Sequence, residues 1–229
     1  MATPWQRAFD WGWFDPAWWR SRAQPVDDGG RGSTWFIESR PPMVLRHYQR
    51  GGLVARLARG TYFFSGLKRT RSFAELQLLA RMRSLGLPVP APIAAAVWRT
   101  GPAVYRAAII VERLEGSQSL GRLIGALDED DWRDVGRTVR QLHDARVCHA
   151  DLNCFNILLS ENGIHLIDFD KGHLRRDGAR WRSANLVRLR RSLEKCHWPA
   201  QGPALDEAWA QLLQGYQAPD SETRSRARS

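Results

Sequence analysis

The sequence predicts an α+β protein, built either as one large domain or as two small lobes, and three observations point there. The chain has 229 residues of which 43% are apolar, enough to close a core. Its patterning runs strands, a helix, more strand and then helices. A polar loop, HADLNCFN (149–156), interrupts apolar, strand-prone sequence at a point where a carboxylate without a partner or a task would be costly.

The elements follow in order. WGWFDPAWW (11–19) crowds five aromatics beside Arg20 and Arg22; these suit either a bilayer interface or packing onto the body of the domain. QPVDDGGRGSTWFIES (24–39) is a glycine-rich turn leading into a strand, and PPMVLRHY (41–48) is its hairpin partner. In 70–87, Phe73, Leu76, Leu79, Ala80, Met82 and Leu85 recur at helical spacing, and Gly86 with Pro88 ends the helix. PVPAPIAAAVWRTG re-enters extended structure, and YRAAIIVERLEG (105–116) is a buried strand running into a loop. SLGRLIGAL and DEDDWRDVGRTVRQLHDARV are helical, with Asp128 to Asp131 favourably placed at a helix N-terminus. Beyond the polar loop come a strand at Asn156 to Leu159, a turn, a second strand over 164–170 and a helix over 181–195. The tail SETRSRARS is polar and basic, as disordered chain is.

Composition narrows the partners. A net charge of +10 and a pI near 10.5 call for a negatively charged one: nucleic acid, an anionic membrane surface or a phosphorylated substrate. No run of eighteen uncharged apolar residues occurs, and the N-terminus lacks the basic-then-apolar layout of a secretion signal, which predicts a cytoplasmic protein. Three cysteines, Cys148, Cys154 and Cys196, without a CxxC pair predict free thiols.

Asp151 and Asn156 stand five residues apart in an HxDxxxxN pattern, and Asp168 follows twelve residues later in IDFD. Phosphoryl transfer needs this set: one carboxylate to accept the proton of the attacking hydroxyl, and an amide with a second carboxylate to hold magnesium against the transferring group. His149 then braces the loop, Asp151 is the base, and Asn156 and Asp168 are ligands for Mg2+. Turn capping would account for any one of these residues but not for their joint spacing.

HADLNCFN and IDFD resemble the signatures of the eukaryotic-type protein kinase superfamily, and the upstream parts fall in that order. GGRGSTWF (29–36), with Gly30, Gly32 and Ser33, resembles the loop that cradles ATP phosphates. Glu75 lies where the superfamily places its helix C glutamate, and Glu112 to Leu114 where the hinge meets adenine. MVLR puts Arg46 in the place of the phosphate-binding lysine; Lys68 is the only lysine nearby. The departures argue against a protein substrate: Ala150, Asn153 and Asp170 replace superfamily residues, no APE motif follows, and only about sixty residues come after Asp168.

The stretches VLRHYQRGG, LGLPVPAPIAA, HADLNCFNILL, LIDFDKG and ANLVRLRRSLEK together resemble the 3-deoxy-D-manno-octulosonic acid (Kdo) kinase family. That resemblance implies a two-lobed protein-kinase-like fold with a reduced helical C-lobe. It divides the chain into a β-rich lobe (1–111), a hinge and helical lobe (112–217) and a basic tail (218–229), with ATP held between the lobes. It implies transfer of the ATP γ-phosphate to the 4-hydroxyl of Kdo on a Kdo-lipid A precursor, at the anionic cytoplasmic face of the inner membrane, with no nucleic acid as partner. Lys171, Arg175, Arg176, Arg180 and Arg182 then meet the acceptor's anionic groups or steady the γ-phosphate, while Arg188, Arg190 and Arg191 form solvated surface. Asp170 holds a backbone turn. An atypical RIO-like protein kinase and an inactive binding module are the alternatives.

Overall fold

Two aspartates start the N-terminal turns. Asp10 Oδ1 accepts from Gly12 N–H at 2.6 Å and opens a 3-10 turn over Trp11–Phe14. Asp15 Oδ1 accepts from Ala17 N–H at 2.9 Å and opens the single-turn helix α1 (Pro16–Trp19). The computed structural model describes residues 9–26, 33–48, 62–196, 198 and 204–218. They group into two compact units, one of Met1–Arg83 with Pro90–Glu115 and one of Ser84–Val89 with Gly116–Ser229.

In the first unit, β1 (Ala23–Pro25), β2 (Thr34–Ile37), β3 (Met43–His47) and β4 (Tyr62–Phe63) precede helix α2 (Arg71–Ser84), and β5 (Pro92–Gly101) and β6 (Val104–Glu112) close it. The strands form one antiparallel sheet of order β1-β2-β3-β6-β4, with β5 also paired to β6. The expected hairpin is β2–β3, with Thr34 opposite Arg46 and Ile37 opposite Met43. Helix α2 is pinned to the sheet where Ser72 Oγ donates to Ala96 O at 3.0 Å and Tyr105 Oη accepts from Arg71 N–H at 3.1 Å. It ends two residues before Gly86, whose φ of 75° is the left-handed turn that a helix end asks of glycine.

Trp13, Phe14 and Trp19 settle the question for three of the five aromatics: they pack into the core with Ile37, Met43, Leu45, Ala108 and Ile110. Each such side chain gains roughly 2 kcal/mol by leaving water. Phe9, Trp11 and Trp18 remain 41%, 68% and 43% exposed.

The second unit carries β7 (Gln118–Ser119), α3 (Leu120–Leu123), α4 (Glu129–Asp144), β8 (Val147–Cys148), β9 (Ile157–Ser160), β10 (Gly163–Leu166), β11 (His173–Leu174), α5 (Ala179–Leu193) and α6 (Leu205–Gln217). β9 pairs with β10 and β7, and β8 with β11. Asp128 caps α4 in a reciprocal box with Asp131, at 2.9 and 3.1 Å, as the acidic cluster foretold. The strand expected over 164–170 stops at Leu166 instead. Beyond it the backbone is spent elsewhere: Ile167 N–H donates to Asn156 O at 3.0 Å, and Asp168 takes a φ of 60°. Helix α6 was not anticipated from the sequence. Gly30, Gly32 and residues 219–229 of the basic tail lie outside the described residues.

Candidate functional site

In the first unit, Arg46 and Tyr48 meet on one buried carboxylate, Glu75. Arg46 on β3 donates from Nη2 to both oxygens of Glu75 on α2, at 2.6 and 2.5 Å, and Glu75 is only 4% exposed. Tyr48 Oη donates to Glu75 Oε2, and burial with the neighbouring Glu75 charge pushes the phenol upward, so it stays a donor. A buried carboxylate is tolerable when it is met in this way by a guanidinium and a hydroxyl. Arg46, the residue at the lysine position, is thus joined to the predicted helix glutamate; Lys68 lies on a short 3-10 turn, Leu67–Arg69.

Other first-unit candidates sit at strand ends. Ser33 precedes β2 and its carbonyl accepts from His47 N–H at 2.8 Å. Glu112 ends β6: its N–H donates to Ala91 O at 2.9 Å, and its carboxylate accepts from Ala91 N–H at 3.1 Å. The Glu112 side chain therefore braces the start of β5.

In the second unit the polar loop joins β8 to β9. His149 is fully buried, and its ring takes two bonds: Nδ1 accepts from Asp151 N–H at 3.1 Å, and Nε2 donates to Ile167 O at 2.9 Å. Those partners select the neutral tautomer with the proton on Nε2, and burial lowers the imidazole's pKa accordingly. Its ring also packs against buried Phe169, with centroids 4.6 Å apart. One side chain therefore ties the loop that bears Asp151 to the segment that bears Asp168. Asn156 Nδ2 donates to Asp151 O at 2.9 Å, which commits the amide nitrogen and leaves Oδ1 as the atom of this side chain able to ligate a cation. Asn153 adds bonds to Asp151 O and Oδ2 at 3.1 and 3.3 Å. Asp151 and Asp168 are both exposed.

Asp170 and Lys171 form a turn closed by Gly172 N–H donating to Phe169 O at 2.7 Å, with Lys171 at a φ of 64°. Asp170 N–H lies 3.4 Å from Asp168 Oδ1. Lys171, Arg175, Arg176 and Arg180 are exposed. Arg182 departs from expectation: it is drawn inward to Asp144, Asp177 and His143 O at 3.0, 2.9 and 3.1 Å, so it is structural. Arg188 departs in the other direction, donating to Ala150 O in the loop rather than lining solvent alone. Arg190 pairs with Asp206 at 2.5 Å.

The thiols are free, as expected. Burial raises Cys154 to about 12, and its sulfur lies 3.4 Å from that of Cys196. Sequence reasoning missed Tyr48, Asn185 and Ser192. Asn185, Arg188 and Ser192 share the i, i+3, i+7 spacing of one helix face, a signal present in the sequence but hidden by the leucines beside it.

Comparison with known proteins points to one kinase family. A family model described as the lipopolysaccharide kinase (Kdo/WaaP) family matches residues 16–216. A 3-deoxy-D-manno-octulosonic acid kinase of Xylella fastidiosa (strain M12) is 47% identical over 213 residues, covering 92% of this chain and 85% of that protein. One of the same name from Stenotrophomonas maltophilia (strain K279a) is 46% identical, covering 90% and 83%. Among solved structures, WaaP in complex with acyl carrier protein aligns with a TM-score of 0.59 at 16% identity, over 96% of this chain and 88% of that one. An amicoumacin kinase aligns with a TM-score of 0.61 at 11% identity, over 86% and 72%. At those identities the two structures establish the fold: α+β and protein-kinase-like.

Proposed function

The chain belongs to the lipopolysaccharide kinase (Kdo/WaaP) family, and on that premise we propose that it transfers the γ-phosphoryl group of ATP to the 4-hydroxyl of Kdo on a Kdo-lipid A precursor. It is a kinase acting on a sugar hydroxyl, in the assembly of the lipopolysaccharide core. The observation that carries the proposal is the loop from His149 to Asn156, in which a buried neutral histidine and an amide hold Asp151 in place from both sides.

Each residue then has a task. Asp151, exposed and held by its neighbours, accepts the proton of the acceptor hydroxyl as the oxygen attacks. Arg46, fixed by Glu75 and Tyr48, directs a guanidinium to phosphate oxygens. Ser33 and the glycines Gly30 and Gly32 supply backbone N–H groups to phosphate, and the backbone from Glu112 to Leu114 meets adenine. Lys171, with exposed Arg175, Arg176 and Arg180, faces the negative charges of the acceptor or the γ-phosphate.

Asn156 and Asp168 are the residues for Mg2+. Among the described residues no group of three or more His, Cys, Asp or Glu gathers, so these two would share the ion with phosphate oxygens and water. One amide oxygen and one carboxylate, both hard donors, fit magnesium, which keeps water and takes few protein ligands. When bound, it would neutralise charge on the transferring group.

The acceptor lies in an anionic leaflet, and we place the enzyme peripherally at the cytoplasmic face of the inner membrane. No described helix is long and apolar enough to cross a membrane. Net charge of +10 and the exposed Trp11, Trp18, Arg20 and Arg22 support surface attachment.

The test is Asp151→Asn assayed on Kdo-lipid A precursor by mass spectrometry. Loss of a general base costs about 10²–10⁴-fold in rate, while ATP binding should persist. Transfer near the wild-type rate would remove Asp151 as the base. Offering labelled ATP to lipid and protein acceptors side by side separates a sugar kinase from a protein kinase.

A further inference from the structure

Helix α5 reads the main chain of the catalytic loop. Asn185 Oδ1 accepts from His149 N–H at 3.3 Å, and its Nδ2 donates to His149 O at 3.0 Å. One turn on, Arg188 donates to Ala150 O; a further turn on, Ser192 Oγ accepts from Cys154 N–H at 2.9 Å. We propose that Asn185 is the positioning residue of the catalytic loop, its amide clamping both backbone groups of His149, with its orientation locked by His143 and Tyr216.

The lock follows from donor and acceptor counting. Because Asn185 Nδ2 is committed to a carbonyl, Oδ1 is the atom that faces His143 Nε2 at 3.3 Å, so that nitrogen must donate. His143 Nδ1 is then unprotonated and accepts from Tyr216 O–H at 2.9 Å. His143 is fully buried and Asn185 is 5% exposed, so water does not compete for these bonds. Burial lowers the His143 pKa to about 4, which preserves this tautomer at neutral pH.

The consequence reaches the reacting groups through His149. Its ring holds Asp151 N–H on one side and Ile167 O, next to Asp168, on the other. A shift of the His149 backbone therefore moves the base and the metal carboxylate together. Ala150 offers no polar side chain to hold the loop, and α5 bonds the loop's backbone from outside it.

This proposal rests on the assignment of Asp151 as base, and its test has a readout that does not. In hydrogen–deuterium exchange, the peptide spanning 147–156 should exchange faster in Asn185→Ala than in the wild type. In the kinase assay, Asn185→Ala and His143→Leu should lower kcat about 100-fold, the scale of a 1 Å misplacement, with the KM for ATP changed by less than about threefold. His143→Gln, which can still donate to Asn185 and accept from Tyr216, should recover most of that loss. Unchanged exchange in Asn185→Ala overturns the clamp whatever activity does. Equal losses in His143→Gln and His143→Leu overturn the lock. If Asp151→Asn remains active while Asn185→Ala still loosens the loop, the base assignment fails and the clamp stands. If Asn185→Ala does not fold, Tyr216→Phe removes a single hydroxyl and carries the same two readouts, faster exchange and lower kcat supporting the clamp and neither overturning it.

Discussion

Glu75 collects Arg46 and Tyr48 on one carboxylate, and His149 spends both ring nitrogens within its own unit. Buried histidines pinned by such partners stay neutral when folded, and that is visible in stability. Burial holds His143 at about 4, below its ordinary 6.5, and lowers His149 in the same direction. As pH falls below 6.5 the unfolded chain takes up protons at these sites and the folded chain does not. The stabilisation is therefore complete above about 6.5 and is lost as pH falls toward 4. For His143 alone the loss is on the order of 3 kcal/mol. Urea unfolding across that range should show wild type losing more stability than His143→Gln; parallel curves would mean that His143 is not neutral when folded.

At the scale of elements, α4 and α6 approach closely through two glycines. A Cβ on Gly136 would stand 2.0 Å from Leu212 O, and one on Gly215 would stand 1.9 Å from Arg133 O. Backbone meets backbone there, so no side-chain rotation relieves a clash and the helices must separate. Gly136→Ala should cost about 1–3 kcal/mol or more, lowering Tm by roughly 5–10 °C for a chain of this size. Calorimetry decides it: an unchanged Tm would show that the glycine contact does not set the helix spacing. The element expected over 164–170 teaches a related point. Its apolar residues have strand character, but the Ile167 carbonyl is taken by His149 and Asp168 turns left-handed, so the ladder stops at Leu166.

At the scale of the whole molecule, a charge of +10 acts at a distance that individual contacts do not. Binding to vesicles rich in anionic lipid should exceed binding to zwitterionic vesicles. It should weaken sharply toward 1 M salt, where screening falls to about 3 Å. Trp11→Ala with Trp18→Ala should reduce it further without altering the fold, since neither indole is in the core cluster. Equal binding to both vesicle types at low salt would remove the membrane role. Much of this protein was legible in sequence because it is written locally: the HADLNCFN spacing, the 3.6-residue period of α2, the acidic cap of α4 and the strand that carries Arg46. Side-chain clamps on backbone were not legible. The bond from Asn185 to His149 spans 36 residues and that from Tyr48 to Glu75 spans 27, and neither has a period or a motif to announce it. Which N-terminal aromatics turn inward was decided the same way, by the sheet that Trp13, Phe14 and Trp19 meet only once the chain has folded. Local spacing marked out the loop and its pattern of carboxylates and amides, whereas contacts between distant residues decided how firmly that loop is held, because only tertiary packing excludes the water that would otherwise compete for those bonds.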